Sequence, residues 1–97
     1  MLRHVVLLKW KPETTAEQIA AATAALRELP SIIEPLRKYT VGSDLELGEG
    51  RWNFGIVADF DDAAGWLVYD QHPDHNAARA DLLAPIVAER ASIQFAF

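Results

Sequence analysis

The side chains of this 97-residue sequence best suited to proton transfer at neutral pH are its three histidines, and two of them lie in one heptapeptide, Tyr69-Asp70-Gln71-His72-Pro73-Asp74-His75. A neutral imidazole with a pKa near ~6.5 can take a proton α to a carbonyl, and a phenol such as Tyr69 can hold the developing enolate by a hydrogen bond. That chemistry needs no metal and no organic cofactor. Pro73 has no N–H to lose and a preset φ, so it opens a helix. His72, held extended by the proline after it, then stands at the helix N-cap. His75 falls in the first turn, leading an apolar stripe of Ala78, Leu82 and Ile86. A titratable ring in that place is either satisfied by a nearby carbonyl or by Asp74, or it lines a cavity. His4, in an apolar run near the start, either points into the same interior or pairs across a sheet. A metal site built from His4, His72 and His75 is disfavoured: no carboxylate is spaced to complete it, and a helix N-terminus repels cations.

The elements that must position these residues follow from hydrophobic period. Arg3 to Trp10 reads as a strand whose two faces, His4/Val6/Leu8/Trp10 and Val5/Leu7/Lys9, are both largely apolar, so the second face asks for a cover of its own. Thr14-x-x-Glu17 and Thr15-x-x-Gln18 are overlapping capping boxes for a helix running to Leu29, with Ile19, Ala22, Leu26 and Leu29 as its stripe and Pro30 as its stop. Lys38 to Leu47 alternates as an edge strand, Gly48-Glu49-Gly50 marks a turn, and Trp52 to Phe60 returns as a third strand. Asp61-Asp62 caps a short helix to Tyr69, in which Gly65 is a weak point. The helix opened by Pro73 runs to about Ala84, where Pro85 forces a kink or a stop. Arg90 to Phe97 alternates again, Ile93/Phe95/Phe97 against Ser92/Gln94/Ala96.

The order β-α-β-β-α-β, with right-handed crossovers, predicts an α+β ferredoxin-like sandwich: one antiparallel sheet with its helices on one face. The bare apolar face predicts a homodimer whose sheets pack face to face. Residues 1–97 fit a single domain. With 51% apolar and 24% charged residues the chain is globular. No apolar run suits a membrane span, and the stretch after Arg3 is broken by Lys9 and Lys11, so no secretory leader is expected. The absence of cysteine removes thiolate chemistry and agrees with a cytoplasmic location. A net charge of −5, with nine basic residues scattered along the chain, argues against a nucleic-acid partner.

The sequence resembles the stress-responsive dimeric α/β-barrel (Dabb) proteins over nearly its whole length. The resemblance rests on the opening RHVVLLKWKPETT with its His4, a VGSD segment in the second strand, ADF and an acidic cap closing the third, and above all Tyr69-x-x-His72-Pro73-x-His75. Pro85 after a Leu-rich helix also fits. The resemblance implies a ferredoxin-like protomer, a dimer built as a barrel of two sheets, and a cavity between sheet and helices. Most members of the family have no established reaction. One plant branch cyclises a linear polyketide by intramolecular aldol condensation without a cofactor, and its cavity residues carry over to His4, Tyr69 and His75. A further histidine of that branch falls near Phe54 here, where this chain has none.

Two functions are therefore expected to compete. One is a cofactor-independent cyclase or isomerase using His4, Tyr69 and His75 on a polyketide-like or aromatic keto compound, with a small apolar keto or phenolic molecule as the ligand bound. The other is a non-catalytic stress-responsive binding or protective dimer.

Overall fold

Leu2–Trp10 forms β1, an inner strand hydrogen-bonded on both sides, in a computed structural model that describes all residues Met1–Phe97. The sheet is four-stranded, in the order β2-β3-β1-β4 with every pair antiparallel: β2 is Lys38–Ser43, β3 is Phe54–Phe60 and β4 is Val87–Ala96. Helices cover one face only. The α1 helix spans Ala16–Glu28, α2 Ala63–Gln71 and α3 Pro73–Ala78. This is the expected ferredoxin-like α+β sandwich.

Local chemistry explains where the elements begin. Of the two overlapping capping boxes, Thr15/Gln18 is the one used: the Gln18 N–H donates to Thr15 Oγ1 at 3.1 Å and the Thr15 N–H donates to Gln18 Oε1 at 2.9 Å. Past Glu28, Pro30 tightens the chain into a 3₁₀ turn at Leu29–Ser31. Asp62 caps α2 by accepting the Gly65 N–H at 3.0 Å. Gly65 is buried because α2 presses close there: a Cβ on it would stand 3.3 Å from Pro35 Cβ and 3.5 Å from Phe60 Cβ.

Several element limits differ from the sequence expectation, among them the start of β4, which lies at Val87 and not at Arg90. The β2 strand ends at Ser43, not Leu47, because Asp44 turns the chain by accepting the Glu46 N–H at 2.9 Å and Glu46 takes a left-handed φ of 60°. Leu45 and Leu47 are consequently exposed. The β3 strand begins at Phe54, although Asn53 still donates its N–H to Leu8 at 2.9 Å. The helix expected to reach Ala84 is regular only to Ala78; Arg79–Leu83 winds as a π turn closed by Ala84 N–H on the Arg79 carbonyl at 2.8 Å. The added residue shifts the stripe by one, so Leu83, not Leu82, is buried.

The core lies between sheet and helices, where Val6, Leu8, Phe54, Ile56, Ala58 and Phe60 meet Ala22, Leu26, Leu29, Ile33 and Leu36. On the other face Leu7, Ile93, Phe95 and Phe97 are exposed beside Val5 and Val57. That face also carries a bidentate pair, Arg3 on Asp59 at 2.7 and 2.9 Å, with the guanidinium 4.3 Å from the centre of the Phe97 ring.

Candidate functional site

Between the inner face of the sheet and the helices lies a cavity of about 190 Å³. Val6 and Leu8 of β1, Ile56 of β3, Leu26 of α1, and Leu83 and Val87 line it with apolar surface, while His4, Tyr69, Asp70, His75, Arg79 and Arg90 bring polar groups to it. All three residues singled out in the sequence thus reach one space, His4 from the strand and Tyr69 and His75 from the two short helices.

His75 is 6% exposed. Its Nδ1 lies 2.9 Å from the Tyr69 carbonyl, which can only accept, so Nδ1 carries the proton and Nε2 keeps a lone pair. The ring stacks on Tyr69 with centroids 3.9 Å apart and planes 24° from parallel. Burial, aided by the Arg79 charge, lowers the His75 pKa to about 4, against the opposing pull of the Tyr69 carbonyl and Asp70. At neutral pH the imidazole is uncharged. Both readings of this residue therefore hold at once, one per nitrogen: Nδ1 is satisfied by backbone and Nε2 is left over.

His4, 7% exposed, lies opposite Gln94 of β4. The Gln94 amide nitrogen is 3.0 Å from His4 Nδ1 and donates to it, so the His4 proton sits on Nε2. Burial first, and then the Arg90 charge, push its pKa below the usual histidine value. Neither remaining ring nitrogen has a protein hydrogen bond, yet neither is sealed off; the one enclosed side-chain donor without a partner is Trp66 Nε1, whose ring is tilted against His4 at 6.1 Å. Both histidines line the cavity, and each has an Nε2 with no protein partner, an acceptor on His75 and a donor on His4.

Tyr69 is 2% exposed and its hydroxyl lies 3.0 Å from that of Tyr39. Burial raises the pKa of both phenols, so both stay protonated at neutral pH. Tyr39 sends its hydroxyl to Tyr69 from β2, and the Tyr69 hydroxyl is shared before any ligand arrives. His72 sits at the N-cap of α3, where its Nδ1 accepts the Asp74 N–H at 3.1 Å. No cluster of His, Asp and Glu side chains is placed to hold a metal ion. Phe54 is 2% exposed and packs on Trp10, the ring centroids 5.3 Å apart.

Four lining or supporting residues escape a reading of the sequence alone: Tyr39, Arg79, Arg90 and Gln94. The signal for two of them was the alternation of β4, in which Arg90, Ser92 and Gln94 share a face, but nothing in that pattern says the polar face is the inward one.

A four-stranded antiparallel sheet with helices on one face and a histidine-lined cavity between them defines the class as ferredoxin-like. The chain belongs to the stress responsive A/B barrel (Dabb) family, whose domain it matches over residues 2–97. A dimeric ferredoxin-like protein of unknown function from Thermobifida fusca is similar at 41% identity and TM-score 0.92, covering 99% of this chain and 90% of that one. A dimeric protein of the same fold from Bacteroides fragilis is 30% identical with TM-score 0.85, covering 99% and 95%. A hydroxynitrile lyase from Passiflora edulis shares the fold at TM-score 0.83 and 17% identity, covering 97% and 90%. A comparison with curated proteins found no match. No helix is long and apolar enough to cross a membrane.

Proposed function

We propose that this chain forms a homodimer whose protomers each bind a small one-ring carbonyl or phenolic compound, and that His4 and His75 move a proton α to the ligand carbonyl without a cofactor. The observation that carries the reading is the opposed protonation of the two cavity histidines. His75 Nε2 takes the α-proton, the electron pair moves onto the carbonyl oxygen, and the His4 Nε2–H donates to the oxygen as charge develops there. Return of the proton to carbon completes an isomerisation or exchange; alternatively the enolate carbon attacks a second carbonyl of the same molecule to close a ring, and the alkoxide formed there takes the proton back from His75. Tyr69 contributes a stacking face that keeps the His75 ring in place, and its hydroxyl serves the oxygen only when Tyr39 is the donor of their shared bond.

Size narrows the ligand. An apolar cavity of ~150 Å³ is enough for benzene, so about 190 Å³ suits one ring with one or two substituents, not a long polyketide chain. The homodimer is supported by the exposed Ile93, Phe95 and Phe97 on a sheet face that no helix covers, and by the dimeric state stated for the Thermobifida fusca and Bacteroides fragilis proteins. The reading takes residues 1–97 as one domain working in the cytoplasm, to which a chain without cysteine is suited. A second reading, ligand binding without turnover, is favoured by the His75 pKa of about 4, which makes its Nε2 a weak base.

Deuterium exchange separates the two. Acetophenone incubated in D₂O with the protein should lose methyl proton signal faster than buffer alone, and the His75→Gln variant should not accelerate it. A ligand-induced rise in melting temperature with no exchange favours the binding protein, and neither effect for any one-ring ketone or phenol overturns the cavity as a ligand site.

A further inference from the structure

We propose that the cavity selects ligands that carry a carboxylate, held by the Arg90 guanidinium, while the ring and carbonyl of the ligand reach inward to His4 and His75. This rests on the cavity being a ligand site, and it names the feature of the ligand that the histidines cannot read.

Three charged side chains reach the cavity, and two of them are spent on each other. Arg79 Nη1 donates to Asp70 Oδ1 at 3.2 Å, and its Nη2 donates to the Asp70 carbonyl at 2.6 Å and to Asn76 Oδ1. Arg90 is different. The ion pairs of the chain use Arg3, Lys9, Arg37 and Arg79, and Arg90 enters none of them. Its one side-chain hydrogen bond runs from Nη1 to Ser92 Oγ at 3.4 Å, which leaves most of the fork open. In a chain of net charge −5 this is a cation at the cavity with no ion-pair partner.

Position adds direction. Arg90 lies opposite Leu8 on the inner face of β4, and Gln94, which holds His4, is on the same face of the same strand. Four residues of strand separate the two by roughly 13 Å between Cα atoms. The arginine side chain spans part of that distance, and a substituted ring fills the rest. A guanidinium presents parallel N–H groups that match the two oxygens of a carboxylate, a match that a neutral amide lacks. The Arg90 charge also lowers the His4 pKa, so a bound carboxylate should relieve that effect.

The test is calorimetric titration of the full chain with benzoate and with benzamide, which have nearly the same shape and differ in charge. The wild type should bind benzoate about tenfold more tightly than benzamide, with the preference shrinking as salt is raised. Arg90→Gln, a change at an exposed side chain, should abolish the preference, so that the variant binds benzoate no more tightly than benzamide. Equal binding of the two by the wild type, or a preference that survives Arg90→Gln, overturns the inference while leaving the cavity reading in place. Failure of both compounds to bind overturns the inference as well, while the exchange and melting tests with ketones and phenols decide the cavity reading separately.

Discussion

Replacing His75 by Gln should flatten the acid limb of the stability profile, and the size of the effect follows from burial. In the folded chain His75 accepts a proton only near pH 4, whereas in the unfolded chain it does so near ~6.5. Between those values the unfolded state binds more protons, so stability falls as pH falls through ~6.5 and the loss is complete below the folded value. At ~1.36 kcal/mol per unit the full penalty is about 3 kcal/mol, of which roughly 2 kcal/mol is felt between pH 7 and pH 4.5. Gln cannot titrate and keeps an N–H for the Tyr69 carbonyl, which in any case also accepts the His72 N–H at 3.2 Å. The groups that set the His75 environment, Arg79, Asp70 and His4, are unchanged in the variant, and the carboxylates elsewhere titrate equally in both proteins. Urea denaturation at pH 7.0 and 4.5, at one fixed protein concentration, should show the wild type losing ~2 kcal/mol more than His75→Gln. Parallel losses would mean that His75 titrates normally, and the argument that the cavity holds it neutral would fail.

Three further outcomes follow from the packing. Ile93→Lys, on the bare face of the sheet, should convert a dimer to a monomer by light scattering; a dimer unchanged in mass at micromolar concentration would place the interface elsewhere. Gly65→Val should cost about 1–3 kcal/mol in a urea titration, since even a Cβ there meets Pro35 at 3.3 Å, and a neutral result would show that α2 can lift from the sheet. Thr15→Ala should cost ~1 kcal/mol by removing the acceptor for the Gln18 N–H, whereas Thr14→Ala should cost less, which thermal melts of the two variants will rank.

Most of the fold is legible in the sequence because period and punctuation agree there. Thr15-x-x-Gln18, Asp62 and Pro73 each mark a helix start that the structure uses, and Phe54, Ile56, Ala58 and Phe60 keep one phase from end to end. Failures come where a single residue breaks the period. Leu45 and Leu47 continue the alternation of β2 on paper, yet the Asp44 turn takes them out of the sheet. The π turn at Arg79–Leu83 leaves no mark in the hydrophobic pattern, but it changes which leucine is buried. The site is half legible for a related reason. His4, Tyr69 and His75 stand out by residue type and motif. Arg90 and Gln94 do not, because in β4 the apolar face, Ile93 and Phe95, points away from the core and the polar face points toward the cavity. That inversion is what the proposed face-to-face dimer requires, with a second sheet on the apolar side.

The central claim, that the two cavity-lining histidines each keep an Nε2 with no protein partner, an acceptor on His75 and a donor on His4, is open to direct measurement by long-range ¹H–¹⁵N correlation of the histidine rings at pH 7. With three histidines in the chain, each ring pattern can be assigned by substitution. His75 should appear as the Nδ1–H tautomer and His4 as the Nε2–H tautomer, and addition of benzoate should shift both while leaving His72 still. The opposite tautomer on either ring, a charged His75 at that pH, or a ligand that moves neither ring would contradict the account.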